Sequence, residues 1–496
     1  MSAGEVYSVL ATPDTAKGAV QFQKSPGMTW RDYLITLLHL AAQVEHGLMV
    51  QYLYAAYSLG HPGLKPDQSA EVRGWQKNIL EVAKEEMGHL LTVQNLLALL
   101  GAPPSFTRAQ TAFEEALSPI PFVLDPLSRD VAASFTFAEM SPELEAHLKS
   151  SAHLREGLEE FLKHHQLRPI RKETKRLSKD LGFGKVTPQP VALLYEEIIR
   201  VFSDPNYVPD SDLDEMSYEA QASWDDWGRG YAPDPKLLSP TGDILSQNAG
   251  STRANVIVMR AATRAEALLA LRAISGQGEA VHLQHPHKLK RKQNEDDEDQ
   301  LELSHFERFL TIWQHYPQHW RPYRRVIRNP ATRPTVALHQ TRITDPAVLD
   351  WALLFNLRYR MLLTFLAHSF RLSRVVRPGT PNLRGMVMHR AFGEMYNLKT
   401  IAGLLVQMKV GEDDDGDIFA GPPFETPYTL NMPAAHVDTF RLHRDLYTGS
   451  MEIVDRLQSN IGPLGGAYLQ SLLELDHAAL GWIDGILRAP QVRTHS

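Results

Sequence analysis

Glu45 and Glu86 stand where an ordinary buried helix face would carry leucine. Glu45 shares a helical face with Leu34, Leu38, Ala41, Ala42, Leu48, Met49, Tyr52 and Ala56. Glu86 shares one with Val72, Trp75, Ile79, Val82, Ala83, His89, Leu90, Val93 and Leu97. A lone ionised carboxylate on such a stripe is very costly to bury, so it needs a partner, a shifted pKa or a cation. His89, three residues after Glu86, points toward a metal. Residues i and i+3 are neighbours on a helix, so one carboxylate and one imidazole can reach the same ion pair. Glu302 and His305 repeat the spacing on an apolar stripe with Phe306, Phe309, Ile312 and Trp313. With Glu279 the set reads, in chain order, Glu45, Glu86 with His89, Glu279, and Glu302 with His305. Four carboxylates balance two divalent ions, and neither component suits an apolar interior without the other. Tyr52, two turns from Glu45, is a candidate for contact with these ligands or for redox chemistry.

Glu-x-x-His by itself is a weak signal, occurring at 86/89, 279/282, 302/305 and 474/477. Position on apolar stripes separates the pairs at 86 and 302 from the others. Each residue also has a plainer reading. Glu45 and Glu86 can be metal-free ion-pair partners, and His89, His305 and Tyr52 can be core side chains. Glu279, on a mixed face with Leu268, Leu271, Arg272 and Ser275, can lie at the surface. His282 reads as a helix-end residue, and Glu474 with His477 as surface or second-domain packing. Glu85, whose face holds Asn78, Glu81, Gly88 and Thr92, is expected in solvent. The acidic loop 412–417 lacks the alternating ligands of a calcium loop and reads as a solvated turn. The basic run 288–292 is compensated by the acidic run 295–299. Gly276 and Gly278 either leave room for oxygen or substrate, or mark fraying.

The elements that must position these groups are helices. One is expected over 30–59, from Thr29 as N-cap to the stop at Gly60 and Pro62, and one over 69–100, closed by Gly101-Ala102-Pro103-Pro104. Two more are expected over 263–280, opened by the capping box Thr263-Arg264-Ala265-Glu266, and over 301–316. A proline-rich insertion, 104–251, separates the pairs and holds one helix near 191–202. The ligand order matches a ferritin-like dinuclear bundle, with one Glu from each of two helices and Glu-x-x-His from the other two. The expected fold class is all-α, a four-helix bundle with a long insertion between its second and third helices, plus a C-terminal helical domain. The segments are 1–29, 30–336 and 337–496. The last has helices near 347–372, 383–410, 434–458 and 464–487, and a loop over 411–433.

Composition narrows the chemistry. The 496 residues include no cysteine, which removes disulfides, thiolate zinc, cysteine-ligated iron–sulfur clusters and thiolate haem. A metal must then be held by His, Asp and Glu, which suits iron or manganese, with zinc as a third choice. The net charge of -7 argues against nucleic acid as main partner. No run of about 18 apolar residues is present, so no membrane span is expected. Met1-Ser2-Ala3-Gly4-Glu5 lacks the features of a signal peptide, so the expected location is the cytoplasm.

Several motifs together resemble the ferritin-like domain of the iminophenyl-pyruvate dimer synthase family. They are Gln43-Val44-Glu45-His46, Gln51-Tyr52-Leu53-Tyr54, Glu85-Glu86-Met87-Gly88-His89, Gly276-Gln277-Gly278-Glu279 and Glu302-Leu303-Ser304-His305-Phe306-Glu307-Arg308-Phe309. The likeness continues in Phe355-Asn356-x-x-Tyr359 and Ala420-Gly421-Pro422-Pro423-Phe424-Glu425, and so covers about 30 to 430. Members of that family couple two tryptophan-derived imines on the way to violacein- and rebeccamycin-type pigments. They are longer chains described as haem-containing. Relatives often carry a Gly-Glu pair before the position of Tyr195, where this chain has Ala192-Leu193. Glu196 and Glu197 follow it and are not assigned a role.

The expected function is a nonhaem di-iron oxidase or oxygenase using O2 on a small organic, amino-acid-derived substrate in specialised metabolism, with manganese as the other candidate ion. The ions would sit about 3.5–4 Å apart. Glu45, Glu86 and His89 would hold one side, and Glu279, Glu302 and His305 the other. An electron donor and a second copy of the chain are candidate partners. Haem-dependent imine coupling and a non-catalytic iron-binding protein are the alternatives.

Overall fold

Thr29 opens the first long helix, α1 (Trp30–Ser58), its Oγ1 accepting from the Asp32 amide at 3.1 Å. The helix stops before Gly60, which takes a φ of 85° that only glycine adopts cheaply. In the computed structural model the described residues are 11–13, 20–22, 24–108, 122–139, 191–223, 226, 256–278, 304–334, 340–376, 378, 380–427, 430–459 and 465–489. Two short strands, β1 (Ala11–Pro13) and β2 (Val20–Phe22), pair antiparallel ahead of α1. Helix α2 (Pro66–Leu99) begins earlier than the expected 69. Proline suits the first helical position, where its missing N–H costs nothing. The two helices run antiparallel. Arg31, at the start of α1, bonds the Leu100 carbonyl just past α2, while Gln76 Nε2 donates to the Ala56 carbonyl at 2.9 Å near the other end.

The insertion supplies α3 (Arg129–Ala138), capped by Ser128, and α4 (Ala192–Ser203). Helices α5 (Arg264–Gly278) and α6 (His305–Gln314) follow. The expected helix over 301–316 starts only at His305. Ser304 is its N-cap, with extended backbone (φ -62°, ψ 166°), and it forms a capping box with Glu307.

Helix α6 packs along α3, and Tyr52, Phe135 and Phe309 from α1, α3 and α6 meet with ring centroids 4.6 to 5.3 Å apart. The far half of α2 is buried nearly all round, because residues 256–261 run against it. Thr92 Oγ1 and Asn95 bond backbone groups of Ile257, Met259 and Ala222. Gly88 permits this approach, since a Cβ there would lie 2.6 Å from the Ile257 carbonyl oxygen. By length and composition α1 could cross a membrane, although its apolar stretch is broken by Glu45 and His46, and 78% of its most apolar window is buried in the protein.

Two compact units divide the chain: Met1–Ala56, Gly60–Val123 and Leu127–Pro322 form one, and Tyr57–Leu59, Leu124–Pro126 and Tyr323–Ser496 the other. The second unit holds a two-residue parallel pair, β3 (Pro330–Ala331) with β4 (Thr341–Arg342). Its helices are α7 (Pro346–Ser369), α8 (Leu383–Leu405), α9 (His436–Ser459) and α10 (Gly466–Arg488). A hairpin, β5 (Lys409–Asp413) and β6 (Gly416–Phe419), occupies part of the expected loop, and its acidic turn is exposed. Helix α7 packs on α8 and α9, and α9 on α10.

One buried residue from each of these four helices meets at Arg358. Its guanidinium lies 3.2 Å from Glu394 and 2.5 Å from Ser450 Oγ, and pairs with Asp476. Farther along α7 and α9, His368 bonds His443 at 3.0 Å and His436 at 3.3 Å, with Phe365 stacked on His443. The motif residues Asn356 and Glu425 also join here: Asn356 Nδ2 donates to the carboxylate at 2.9 Å, and Asn356 Oδ1 accepts from the Glu425 amide at 3.0 Å. Glu474 and His477 are exposed on α10.

Candidate metal centre

Glu45 on α1 and Glu86 and His89 on α2 come together, as their stripes require, because the antiparallel pair faces those stripes inward. His89 Nδ1 lies 3.2 Å from Glu86 Oε2 and 3.6 Å from Glu45 Oε2. The other oxygen of Glu86 lies 2.8 Å from Nδ1 of His305, the first residue of α6. A second carboxylate reaches that imidazole, Glu139 Oε2 at 3.7 Å. The result is two groups able to hold an ion, Glu45/Glu86/His89 and Glu86/Glu139/His305, sharing Glu86. All five side chains are buried.

Glu139 is the residue missed from the sequence. It ends α3, inside the stretch read only as an insertion, and carries no Glu-x-x-His signal. Its apolar predecessors Phe135 and Phe137 on a capped helix were the available clue. Glu279 and Glu302 lie outside the described residues, as does His282. Gly278, just before Glu279, lies against the site: a Cβ there would be 3.2 Å from Glu139 Oε2. Gly276 faces open space.

Glu85 is a correction. It is fully buried, not solvated, because α6 covers that face of α2. Its Oε2 accepts from His305 Nε2 at 2.8 Å, and its Oε1 lies 3.4 Å from Arg308. Opposite, His89 Nε2 is bonded to Gln277 Oε1 at 3.0 Å. Both partners are acceptors, so each imidazole carries its proton on Nε2 when neutral and turns the Nδ1 lone pair toward the carboxylates. His305 Nδ1, although near Glu86, has no well-directed hydrogen bond and is buried. Oxygen and imidazole nitrogen are the donors that iron or manganese takes, so the residues fit a dimetal centre.

Two tyrosines support the outer carboxylates. Tyr52 donates to Glu139 Oε1, and Tyr195 on α4 donates to Glu45 Oε1. Burial, with the charges of Glu139 and Glu86, raises the Tyr52 pKa well above its ordinary range, so its hydroxyl stays protonated. Glu196 is exposed, and Glu197 accepts from Tyr33 at 2.9 Å and pairs with Arg200.

The buried carboxylates and imidazoles shift one another's titration. Burial and the neighbouring Glu86 push the Glu45 carboxyl up to about 8. Burial opposes charging of His89, but Glu86 and Glu45 raise it to about 10. His305 is raised well above its ordinary value despite burial, by Glu86, Glu139 and Glu85. Burial pushes Glu86 up as well, yet its bond to Glu45 and the two imidazoles hold it below the usual range. A metal ion bound there would displace these protons.

Among known proteins, no curated protein and no solved structure matches the chain. A family model described as Ferritin-like matches residues 38–314, a span that runs from within α1 to the last residue of α6 and takes in all five of these side chains. With more than half of its length so matched, the chain belongs to the Ferritin-like family.

Proposed function

We propose that this protein is a nonhaem dimetal oxidoreductase, with two iron ions, that uses O2 on a small organic substrate in specialised metabolism. The observation that carries the reading is Glu86, whose two oxygens each face a different imidazole Nδ1. Two ferrous ions bound there would supply the electrons and the Lewis acidity that O2 chemistry needs.

The chain's own residues do the rest. Glu86 spans the two positions, and Glu45 from α1 and Glu139 from the end of α3 each add a carboxylate to one of them. Tyr52 and Tyr195 fix the free oxygens of those outer carboxylates. Gln277 and Glu85 hold the imidazole Nε2 protons, which keeps each Nδ1 available. The rings of Tyr52, Phe135 and Phe309 exclude water beside Glu139. Iron storage needs only a bare bundle. Here the insertion supplies both Tyr195 and Glu139 to the site, which supports an enzyme.

The likeness to the iminophenyl-pyruvate dimer synthases supports an amino-acid-derived substrate. We take the cytoplasm as its location and an electron donor as a partner. The test is metal analysis of the purified protein with an absorption spectrum, followed by oxygen uptake. About two irons per chain, no Soret band, and uptake that continues only with an added organic substrate are expected. Uptake that stops once added Fe(II) is consumed, whatever organic compound is present, would mark an iron-oxidising store. An intense Soret band would mark haem-dependent coupling.

A further inference from the structure

Among the described residues the two ion positions are alike in most respects. Each has one oxygen of Glu86, one further carboxylate and one imidazole presenting Nδ1. Each further carboxylate, Glu45 or Glu139, accepts from one tyrosine hydroxyl. They differ behind the imidazole. His89 Nε2 meets the neutral amide oxygen of Gln277, whereas His305 Nε2 meets the carboxylate of Glu85.

We infer that Glu85 makes the two positions unequal, so that the ion at Glu86/Glu139/His305 binds first and more tightly. This deepens the dimetal reading and rests on it. An imidazole whose N–H donates to a carboxylate is a more basic ligand than one donating to an amide, because the anion stabilises positive charge drawn onto the ring. Arg308 sits 3.4 Å from the far oxygen, Oε1, and tempers this effect. The oxygen facing the imidazole is Oε2, at 2.8 Å, so the ring feels the nearer charge more strongly. Glu85 is a positioning residue, since it acts through His305.

The test is calorimetric titration of the metal-free, full-length protein with Co(II) under anaerobic conditions. Wild type should show two steps of different affinity. His305→Ala should abolish the tighter step, and His89→Ala the weaker. Glu85→Gln should weaken the tighter step by about 10- to 100-fold, the usual effect of losing such a partner, and leave the weaker step in place. Gln277→Glu should strengthen the weaker step. Combining Glu85→Gln with Gln277→Glu should reverse the order of filling, which a merely structural role for Glu85 would not do. If Glu85→Gln fails to fold, Gln277→Glu carries the test alone.

Equal wild-type affinities, an unchanged tighter step in Glu85→Gln, or an unchanged weaker step in Gln277→Glu would overturn the inference and leave the dimetal reading standing. Fewer than two Co(II) bound by wild type would overturn the dimetal reading itself.

Discussion

Acid should loosen the contact between α7 and α9 in the second unit, and the size of the effect follows from two buried histidines. Burial, with His443, His436 and Arg371 nearby, lowers His368 to about 2, and burial lowers His443 to about 3. Both are neutral in the folded protein, while in the unfolded chain each titrates near its ordinary 6.5. Below that value the unfolded chain binds protons that the native state refuses, so stability is full above it and falls with pH toward the folded values. At about pH 5 each histidine costs about 2 kcal/mol, or about 4 kcal/mol for the pair. The result is insensitive to the folded pKa values, provided both lie well below the measured range. Glu394 works in the opposite sense, because burial raises its carboxyl despite Arg358. The histidine part is isolated by comparing wild type with His443→Gln. Native-state hydrogen exchange by mass spectrometry, reported as protection of α7 and α9 peptides from about pH 7 to pH 5, reads it directly. The pH slope in His443→Gln should be shallower by about 1.4 kcal/mol per pH unit. Equal slopes in the two proteins would refute the argument.

Glu139→Ala should lower bound iron from about two to about one per chain, whereas Glu196→Ala should leave it unchanged; metal analysis decides, and two irons in Glu139→Ala would remove that residue from the centre. Gly88→Ala places a Cβ 2.6 Å from the Ile257 carbonyl oxygen. Crowding of about 1–3 kcal/mol should outweigh the gain of about 1 kcal/mol in helix propensity, so urea denaturation should show a net loss. Arg358→Met leaves Glu394 and Asp476 buried without their cation and should cost about 3–5 kcal/mol in the second unit, read by exchange protection of α7, α8 and α10.

The long helices and four of the five side chains gathered at the candidate centre, all but Glu139, were legible because each followed from a local rule. Apolar period marked α1 and α2, glycines and prolines marked their ends, and a carboxylate on each stripe marked Glu45 and Glu86. The four helices of the second unit were readable in the same way. What stayed hidden depends on which surface covers which. Glu85 has polar and small neighbours on its own helix face, and only the arrival of α6 turns that face inward and makes the residue the partner of His305. Gly88 gave no sign that residues 256 and 257 press on it. Glu139 caps the end of a short helix after a proline-rich approach, where length gave no weight to periodicity, yet the seating of that helix on α6 brings it to the site. The Ser304 cap is written in the sequence as Ser-x-x-Glu, a local signal. A carboxylate is solvated only where no other element lies over its helix face, and over the far half of α2 the helix α6 and residues 256–261 cover what its first half leaves open.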